Sequence, residues 1–240
     1  MQKAGKLTGV ASISERLENV QERLMNAALR SQRSPSDITL VAITKTHPVE
    51  TIREAIELGV INLGENRVQE AEDKIPNIEH ANVQWHLVGH LQSNKARRAV
   101  ALFDVIHSVD SGALARRLDR HCEEEGKAEL SILVQVDLAG EKTKSGVDAK
   151  DLNEVLETIG TCSRLRLFGL MTLPPYFTDP ECTRPFFKAL RELRDDLRNR
   201  GHFGDLPGEL SMGMSHDFEV AIEEGASMIR VGTAIFGERS

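Results

Sequence analysis

Short apolar runs alternate with amphipathic helical patterns along most of the chain, as expected of parallel βα units. The first helix is predicted to begin near Ser12, because Ser12 and Glu15 have the spacing of a capping box. The segment 38–43 that follows is apolar on both faces, which is typical of a strand that lies between covering helices and a barrel interior. Pro48 suits the first turn of the next helix, and Gly59 suits the position just after its end.

Eight segments have the composition of buried strands: 38–43, 60–63, 83–88, 105–107, 130–136, 165–170, 209–211 and 228–231. Further helical patterns fall at 67–74, 94–102, 112–125, 149–159, 181–200 and 218–224. This alternation over 240 residues favours the α/β class. We predict a single (β/α)₈ TIM barrel with an extra N-terminal helix, and we expect residues 1–240 to form one domain. The alternative is an open doubly wound sheet, which is weakened because no GxGxxG motif follows the first strand.

The charge balance argues against polyanionic partners. The chain carries a formal charge of −7, so the phosphates of nucleic acids and anionic membranes should repel it unless a local basic patch intervenes. The arginine-rich stretch 184–200 resembles such a patch, but it also holds Glu192, Asp195 and Asp196 at helical spacing. We interpret it as a solvated helix face of mixed charge and expect neither a nucleic-acid nor a membrane partner.

The cysteines and the apolar runs bear on the compartment. Cys122, Cys162 and Cys182 are widely spaced and form no CxxC pair, which is a poor disulfide framework and a poor metal site. No apolar run approaches the length of a membrane span, and no signal-type apolar core begins the chain. We therefore expect a cytoplasmic protein.

Chemistry-bearing residues concentrate where the predicted strands end, whereas the strand bodies are almost wholly apolar. In a (β/α)₈ barrel the carboxyl ends of the strands form the active face. Residues at or just beyond these ends are Lys45, Asn66, His86, Asp110, Asp137, Met171, Ser211, Ser215 and Arg230. This asymmetry indicates a functional site at that face.

Lys45 is the candidate nucleophile. Val41, Ile43 and Lys45 share one strand face by period-two alternation, so an inward-facing Ile43 places the Lys45 amine at the barrel mouth. Partial desolvation lowers the pKa of such an amine and makes it nucleophilic toward an aldehyde. The alternative is a solvated turn lysine, and a facing anion site would decide between them.

Two glycine-containing turns near the C-terminus supply a candidate anion site. Ser215 is predicted to cap a helix that starts at His216, with Gly213 allowing a tight turn or a close backbone approach. Gly232 and Thr233 form a second turn that ends in a hydroxyl. These loops follow strands seven and eight, where such barrels commonly bind phosphate, so we predict a phosphate site here.

Three inward residues keep two interpretations each. Arg230 should project into the barrel, where it meets either a cofactor ring or a structural ion-pair partner. His86 either approaches the cofactor or is a hydrogen-bonded barrel histidine. Asn66 either donates to a cofactor oxygen or caps the helix that follows it.

Seven motifs follow one another between Val41 and Gly237: ITKTHP at 43–48, GENRVQE at 64–70, WHLVGHLQSNK at 85–95, SVDS at 108–111, GLM at 169–171, LSMGMSHD at 210–217 and RVGTAIFG at 230–237. Together they resemble the motifs of the pyridoxal phosphate homeostasis proteins, a family similar to the barrel domain of alanine racemase. So many matches in order are far more specific than any one of the motifs.

The resemblance implies a fold-type III site for pyridoxal 5′-phosphate (PLP) in which Lys45 carries the imine to the cofactor. The residues that it implies around the phosphate are Ser215, Gly232 and Thr233, with Ser211 and Met214 nearby. Arg230 would face the pyridine nitrogen, and Asn66, His86 and Met171 would line the pocket. The sequence departs from the family at Arg67, where an aromatic residue is frequent, and at Asp137, where asparagine is frequent.

Two functions of different class follow. One is a non-catalytic cytosolic carrier or regulator that masks PLP and passes it, transiently, to PLP-dependent apoenzymes. The other is a racemase of the alanine racemase type, which needs two bases on opposite faces of the substrate. We favour the carrier and expect a monomer, because the chain ends at Ser240 without a second domain and its only tyrosine, Tyr176, falls in a predicted exposed loop. A third alternative, a protein-interaction module, has no surface feature to support it.

Overall fold

The computed structural model describes residues 11–78, 82–140 and 145–238. Within them, eight parallel strands close into a ring in the order β4-β3-β2-β1-β9-β8-β7-β5, and β5 pairs back with β4. The strands are β1 Thr39–Ile43, β2 Asn62–Glu65, β3 Gln84–Leu87, β4 Val105–Val109, β5 Leu130–Asp137, β6 Val147–Asp148, β7 Leu165–Met171, β8 Glu209–Met214 and β9 Met228–Val231. The predicted closed barrel is confirmed. The two-residue β6, which pairs with the end of β5 outside the ring, was not predicted.

Helices follow the strands, and the periodicity predicts all of them except α9, whose first residue, Thr233, was predicted to lie in a turn. They are α1 Ile13–Arg30, α2 Val49–Glu57, α3 Val68–Lys74, α4 Ala96–Leu102, α5 Gly112–Glu124, α6 Leu152–Gly160, α7 Arg184–Asn199, α8 Phe218–Glu223 and α9 Thr233–Phe236. The capping box of Ser12 and Glu15 is present at the start of α1, the extra N-terminal helix. Pro48 is the N-cap of α2 and not a first-turn residue, and Gly59 follows the helix with a φ of 91°.

Alternation along each strand separates two apolar regions. Residues that face outward from the barrel, such as Ala42 and Ile229, join the helices in one large core. Inward residues form two small clusters, one of Val41, Ile43 and Val88. The other contains Val105, Leu133, Met171 and Met228. The interior is therefore lined by a few apolar side chains, which leaves room for polar groups between and above them.

The arginine-rich stretch forms α7 and is neutralised by neighbouring acids, as predicted. Arg184 contacts Glu181, Glu223 and Glu224 at 2.7–3.0 Å, and Arg200 pairs with Asp196 at 3.3 Å. These contacts make it a mixed-charge face. Across the residues that the structure describes, every helix is too short or too polar to span a bilayer.

Candidate functional site

A cavity of about 470 Å³ opens at the carboxyl ends of β1, β2, β8 and β9. Seven predicted site residues line it: Lys45, Asn66, Met214, Ser215, Arg230, Gly232 and Thr233. The rest of its wall comes from Ile43, Val88, Gly89, His90, Leu173 and His216, which the sequence did not single out for this purpose. The structure thus brings an amine, a guanidinium and the chain segments at the end of β8 and the start of α9, which were predicted as turns, to one opening.

Lys45 reaches the cavity because it follows the end of β1 by two residues. Ile43, two residues earlier, faces the barrel interior and lines the cavity as well. Thr44 between them is fully buried, and its hydroxyl donates to Glu65 Oε1 at 2.7 Å. The strand therefore directs the half-buried Lys45 side chain inward, as period-two alternation predicts.

Ser215 has a different partner from the one predicted. Helix α8 starts at Phe218 and its N-cap is Asp217, whose Oδ1 accepts from the Met214 N–H at 2.7 Å. The expectation that Ser215 caps this helix is wrong, because Asp217 lies closer to its first turn. Ser215 Oγ instead accepts from the N–H groups of Gly232 at 3.2 Å and Ala234 at 3.3 Å. The two predicted turns are thereby joined into one cradle, with the hydroxyl hydrogen of Ser215 left to donate elsewhere.

Arg230 is buried and held by neutral acceptors. Its Nη1 donates to Ser211 Oγ at 2.7 Å and its Nη2 donates to the Thr172 carbonyl at 2.9 Å. Burial lowers the pKa of the guanidinium to about 10, and the nearby Asp217 opposes that shift. Arg230 points into the barrel, as predicted. In the described parts of the chain it makes no ion pair closer than 4 Å, so the structural ion pair that was one of its two interpretations is not observed.

Ser211 begins a chain of hydrogen bonds that crosses the barrel interior. His107 Nδ1 lies 2.8 Å from Ser211 Oγ, and His107 Nε2 lies 2.9 Å from His86 Nδ1. His86 Nε2 lies 3.1 Å from Asn62 Oδ1. When both rings are neutral, His86 Nε2 donates to the Asn62 amide oxygen, so His86 Nδ1 accepts from His107 Nε2 and His107 Nδ1 accepts from the Ser211 hydroxyl. The bonds then run in one direction, from Arg230 to Asn62.

Burial agrees with neutral rings. It lowers the pKa of His86 to about 4 and that of His107 well below its ordinary value, where His86 and Arg230 add to the effect. His86, Met171 and Ser211 are fully buried and do not line the cavity, so these three predicted residues lie deeper in the barrel. His86 is the hydrogen-bonded barrel histidine that was one of its two interpretations. His107 was missed, although its alternation on β4 points it inward.

Asn66 and Tyr176 complete the comparison with the sequence. Asn66 lines the cavity, while the N-cap of α3 is Arg67, so Asn66 does not cap this helix. Tyr176 lies in an exposed loop, as predicted, with 78% of its surface accessible. Its ring contacts that of His216, a cavity residue, at a centroid distance of 5.4 Å.

The histidine chain predicts a pH dependence of stability. The unfolded chain takes up a proton at His86 near pH 6.5, whereas the folded protein resists protonation to about pH 4. The contribution of neutral His86 to the free energy of unfolding is therefore complete above pH 6.5. It declines as the pH falls toward 4, by about 2 kcal/mol between pH 7 and pH 5. In His86→Gln the loss of unfolding free energy over this range should be about 2 kcal/mol smaller than in the wild type. Urea denaturation at both pH values measures it, with His202→Gln as control; equal losses in wild type and His86→Gln would refute the assignment.

Comparison with known proteins gives the class first. Residues 17–240 match the family model described as the alanine racemase N-terminal domain. A solved alanine racemase of Clostridium difficile shares the fold at a TM-score of 0.68 and 16% identity, and the match covers 92% of this chain and 60% of that one. The closed strand ring, the cavity at its mouth and the match to this family model together define a barrel of the alanine racemase N-terminal type.

More similar relatives give the family. The pyridoxal phosphate homeostasis protein of Aquifex aeolicus is 42% identical over 225 residues, 94% of this chain and 97% of the relative. The Escherichia coli K12 protein of that name is 39% identical over 233 residues, 95% and 97% of the two chains. PipY of Synechococcus elongatus, solved with PLP bound, has a TM-score of 0.81 at 42% identity, covering 94% of this chain and 100% of that one. The chain belongs to the pyridoxal phosphate homeostasis protein family.

Proposed function

We propose that this chain binds pyridoxal 5′-phosphate in the cavity at the barrel mouth and serves cellular PLP homeostasis. The observation that carries the proposal is the presence of a half-buried amine, Lys45, in one cavity with the cradle of Ser215, Gly232 and Thr233. PLP has an aldehyde at one position of its ring and a phosphate at another, so it needs an amine and an anion cradle together. The relatives named above, and PipY solved with PLP, support the same ligand.

The residues present fit this ligand. The Ser215 hydroxyl, which still has its hydrogen to donate, and the backbone N–H of Thr233 would hold the phosphate oxygens, with Met214 packed beside them. The Gly232 N–H already donates to Ser215 Oγ, so the part of Gly232 would be a close backbone approach. Gly232 adds no side chain at a point where even a Cβ would lie 3.4 Å from Ile43. Lys45 would bond covalently to the aldehyde carbon, with the aldehyde oxygen leaving as water, and Asn66 would donate to an oxygen of the cofactor.

Arg230 would face the pyridine nitrogen. Ser211 accepts from this guanidinium, and through Ser211 the neutral rings of His107 and His86 hold it in place. A protonated guanidinium can only donate hydrogen bonds, so it would pair with the neutral pyridine nitrogen and disfavour the protonated form. When bound, PLP supplies an electrophilic aldehyde and an electron-withdrawing ring. Met171 packs under the site within the inward cluster.

We further propose that the protein is a carrier or regulator and turns over no substrate. Racemisation needs a second base on the face of the substrate opposite Lys45. The titratable side chains in the cavity wall other than Lys45 and Arg230 are His90 and His216. His90 Nδ1 contacts Asp110 at 3.3 Å and His216 Nε2 contacts the Thr178 carbonyl at 3.1 Å, so both rings have partners outside the cavity. The site is therefore better suited to taking up and releasing a cofactor.

The remaining parts of the proposal concern the cellular setting. We propose a single-domain monomer in the cytoplasm that passes PLP to PLP-dependent apoenzymes in transient encounters. A cavity open to solvent supports this, because a hand-over requires that the aldehyde be reached by an incoming amine.

A turnover assay separates the carrier from the racemase. Protein loaded with PLP is incubated with a panel of single-enantiomer amino acids, and loss of optical purity is followed by chiral chromatography. We expect no turnover above that of free PLP, together with full retention of PLP by the wild type after gel filtration. Turnover that disappears in Lys45→Ala would contradict the carrier, and failure of the wild type to retain PLP would contradict the whole proposal.

A further inference from the structure

A buried ammonium group lies next to the backbone that leads from β1 into Lys45. Lys74, at the end of α3, has 11% of its side chain exposed and donates to Glu65 Oε1 at 2.7 Å, the Thr44 carbonyl at 2.8 Å and Glu70 Oε2 at 3.4 Å. An ammonium has three hydrogens, so these three acceptors satisfy it completely. Neither the lysine nor the two glutamates of the GENRVQE motif line the cavity, so the proposed PLP site leaves them unexplained.

The same side chains anchor the backbone on both sides of Lys45. The carbonyl of Thr44, one residue before, accepts from Lys74. The N–H of Thr46, one residue after, donates to Glu70 Oε2 at 2.8 Å. The Thr44 hydroxyl adds a bond of 2.7 Å to Glu65 Oε1. We call Glu65, Glu70 and Lys74 the bracket, because they hold the residues on either side of Lys45.

Thr46 shows why an anchor is needed. Its φ of 66° lies in the left-handed region, which a β-branched side chain rarely adopts. Such a conformation is strained and persists only where surrounding contacts impose it. The bond from the Thr46 N–H to Glu70 is such a contact. Without it, Thr46 is expected to relax to negative φ and change the direction in which Lys45 leaves the strand.

We propose that Glu65, Glu70 and Lys74 are positioning residues for the covalent bond between Lys45 and PLP. This inference rests on the proposed function and concerns the same site. Bond formation requires the amine to sit within about 3–3.5 Å of the aldehyde carbon with correct alignment. The bracket fixes the Lys45 backbone from outside the barrel, so the side chain is directed toward the cradle before the ligand arrives, and less order is lost on binding.

Glu70 gives the cleanest test, because 26% of its side chain is exposed and its loss leaves no fully buried charge. Glu70→Ala removes the acceptor of the Thr46 N–H, whereas Glu70→Gln retains an acceptor oxygen. Affinity is measured for PLP and for pyridoxine 5′-phosphate, which carries an alcohol in place of the aldehyde and so cannot bond to Lys45. The matched control is Glu192→Ala, which removes an exposed glutamate that is also paired with a lysine four residues away, at 3.8 Å.

We expect Glu70→Ala to bind PLP about tenfold more weakly, as for one lost hydrogen bond to a charged acceptor, and to bind the alcohol within twofold of wild type. Glu70→Gln should recover most of the PLP affinity, and Glu192→Ala should match the wild type. The double variant Glu65→Gln with Lys74→Met removes the bond from Lys74 to the Thr44 carbonyl without leaving one buried charge unpaired. It should also bind PLP more weakly and bind the alcohol as the wild type does.

Two results would overturn the inference: wild-type PLP affinity in Glu70→Ala, or equal losses for PLP and the alcohol, which would indicate a merely structural role. A wild type that binds both ligands equally would instead contradict the covalent bond itself. That outcome fails the proposed function, and it is recognised without any bracket variant.

Discussion

Lys45→Ala should bind PLP at least about 100-fold more weakly than the wild type while its affinity for pyridoxine 5′-phosphate stays unchanged. The covalent bond to the aldehyde is available only to PLP, and a 100-fold loss corresponds to about 2.7 kcal/mol. The proposed phosphate cradle of Ser215, Gly232 and Thr233 follows β8 and β9 and does not include the Lys45 side chain. Isothermal titration with both ligands gives the two affinities.

Lys188→Ala is the control for this substitution, because it removes a lysine from the exposed face of α7. It should bind both ligands as the wild type does. A parallel loss of both affinities in Lys45→Ala would mean that the lysine supports the pocket and not the bond. Unchanged PLP affinity would remove Lys45 from the site altogether.

Gly213→Ala should lower the free energy of unfolding by about 3 kcal/mol. Gly213 has a φ of 89°, and an added Cβ would lie 2.5 Å from the Ala221 Cβ and 2.9 Å from the Phe218 Cα. The left-handed backbone costs about 1 kcal/mol for alanine, and forcing α8 away from β8 costs about 2 kcal/mol more. Since β8 leads into Met214 and Ser215, the same shift should weaken PLP binding.

Gly126→Ala isolates the backbone cost. Gly126 also has positive φ, at 67°, but an added Cβ meets nothing within 4 Å. This variant should lose only about 1 kcal/mol in urea denaturation and keep its PLP affinity. If Gly213→Ala were no less stable than Gly126→Ala, the close packing of α8 on β8 would not hold the cradle as described.

The sequence could predict features that depend on local period. Alternation along β1 placed Lys45 inward, and alternation along β9 did the same for Arg230; both line the cavity. The capping box at Ser12 and the closed ring of eight strands likewise follow from local pattern and from the number of βα units.

Features that depend on contacts between distant segments were out of reach. Ser215 accepts from the N–H groups of Gly232 and Ala234, 17 and 19 residues away, at the start of α9. Its position just before α8 had suggested that it caps α8. The bond from His107 to Ser211 joins residues 104 apart, and no single-strand pattern pairs them. Lys74 looked like the basic end of a helix, since only the barrel brings it to Thr44, 30 residues earlier.

The central claim is a bond between PLP and one particular amine. Wild-type protein is mixed with PLP, reduced with borohydride to make the bond permanent, digested and examined by mass spectrometry. The account predicts the added mass on the peptide that contains Lys45, at near-stoichiometric yield, and its absence when pyridoxine 5′-phosphate replaces PLP. Label spread over several surface lysines, or found mainly on a lysine other than Lys45, would contradict it.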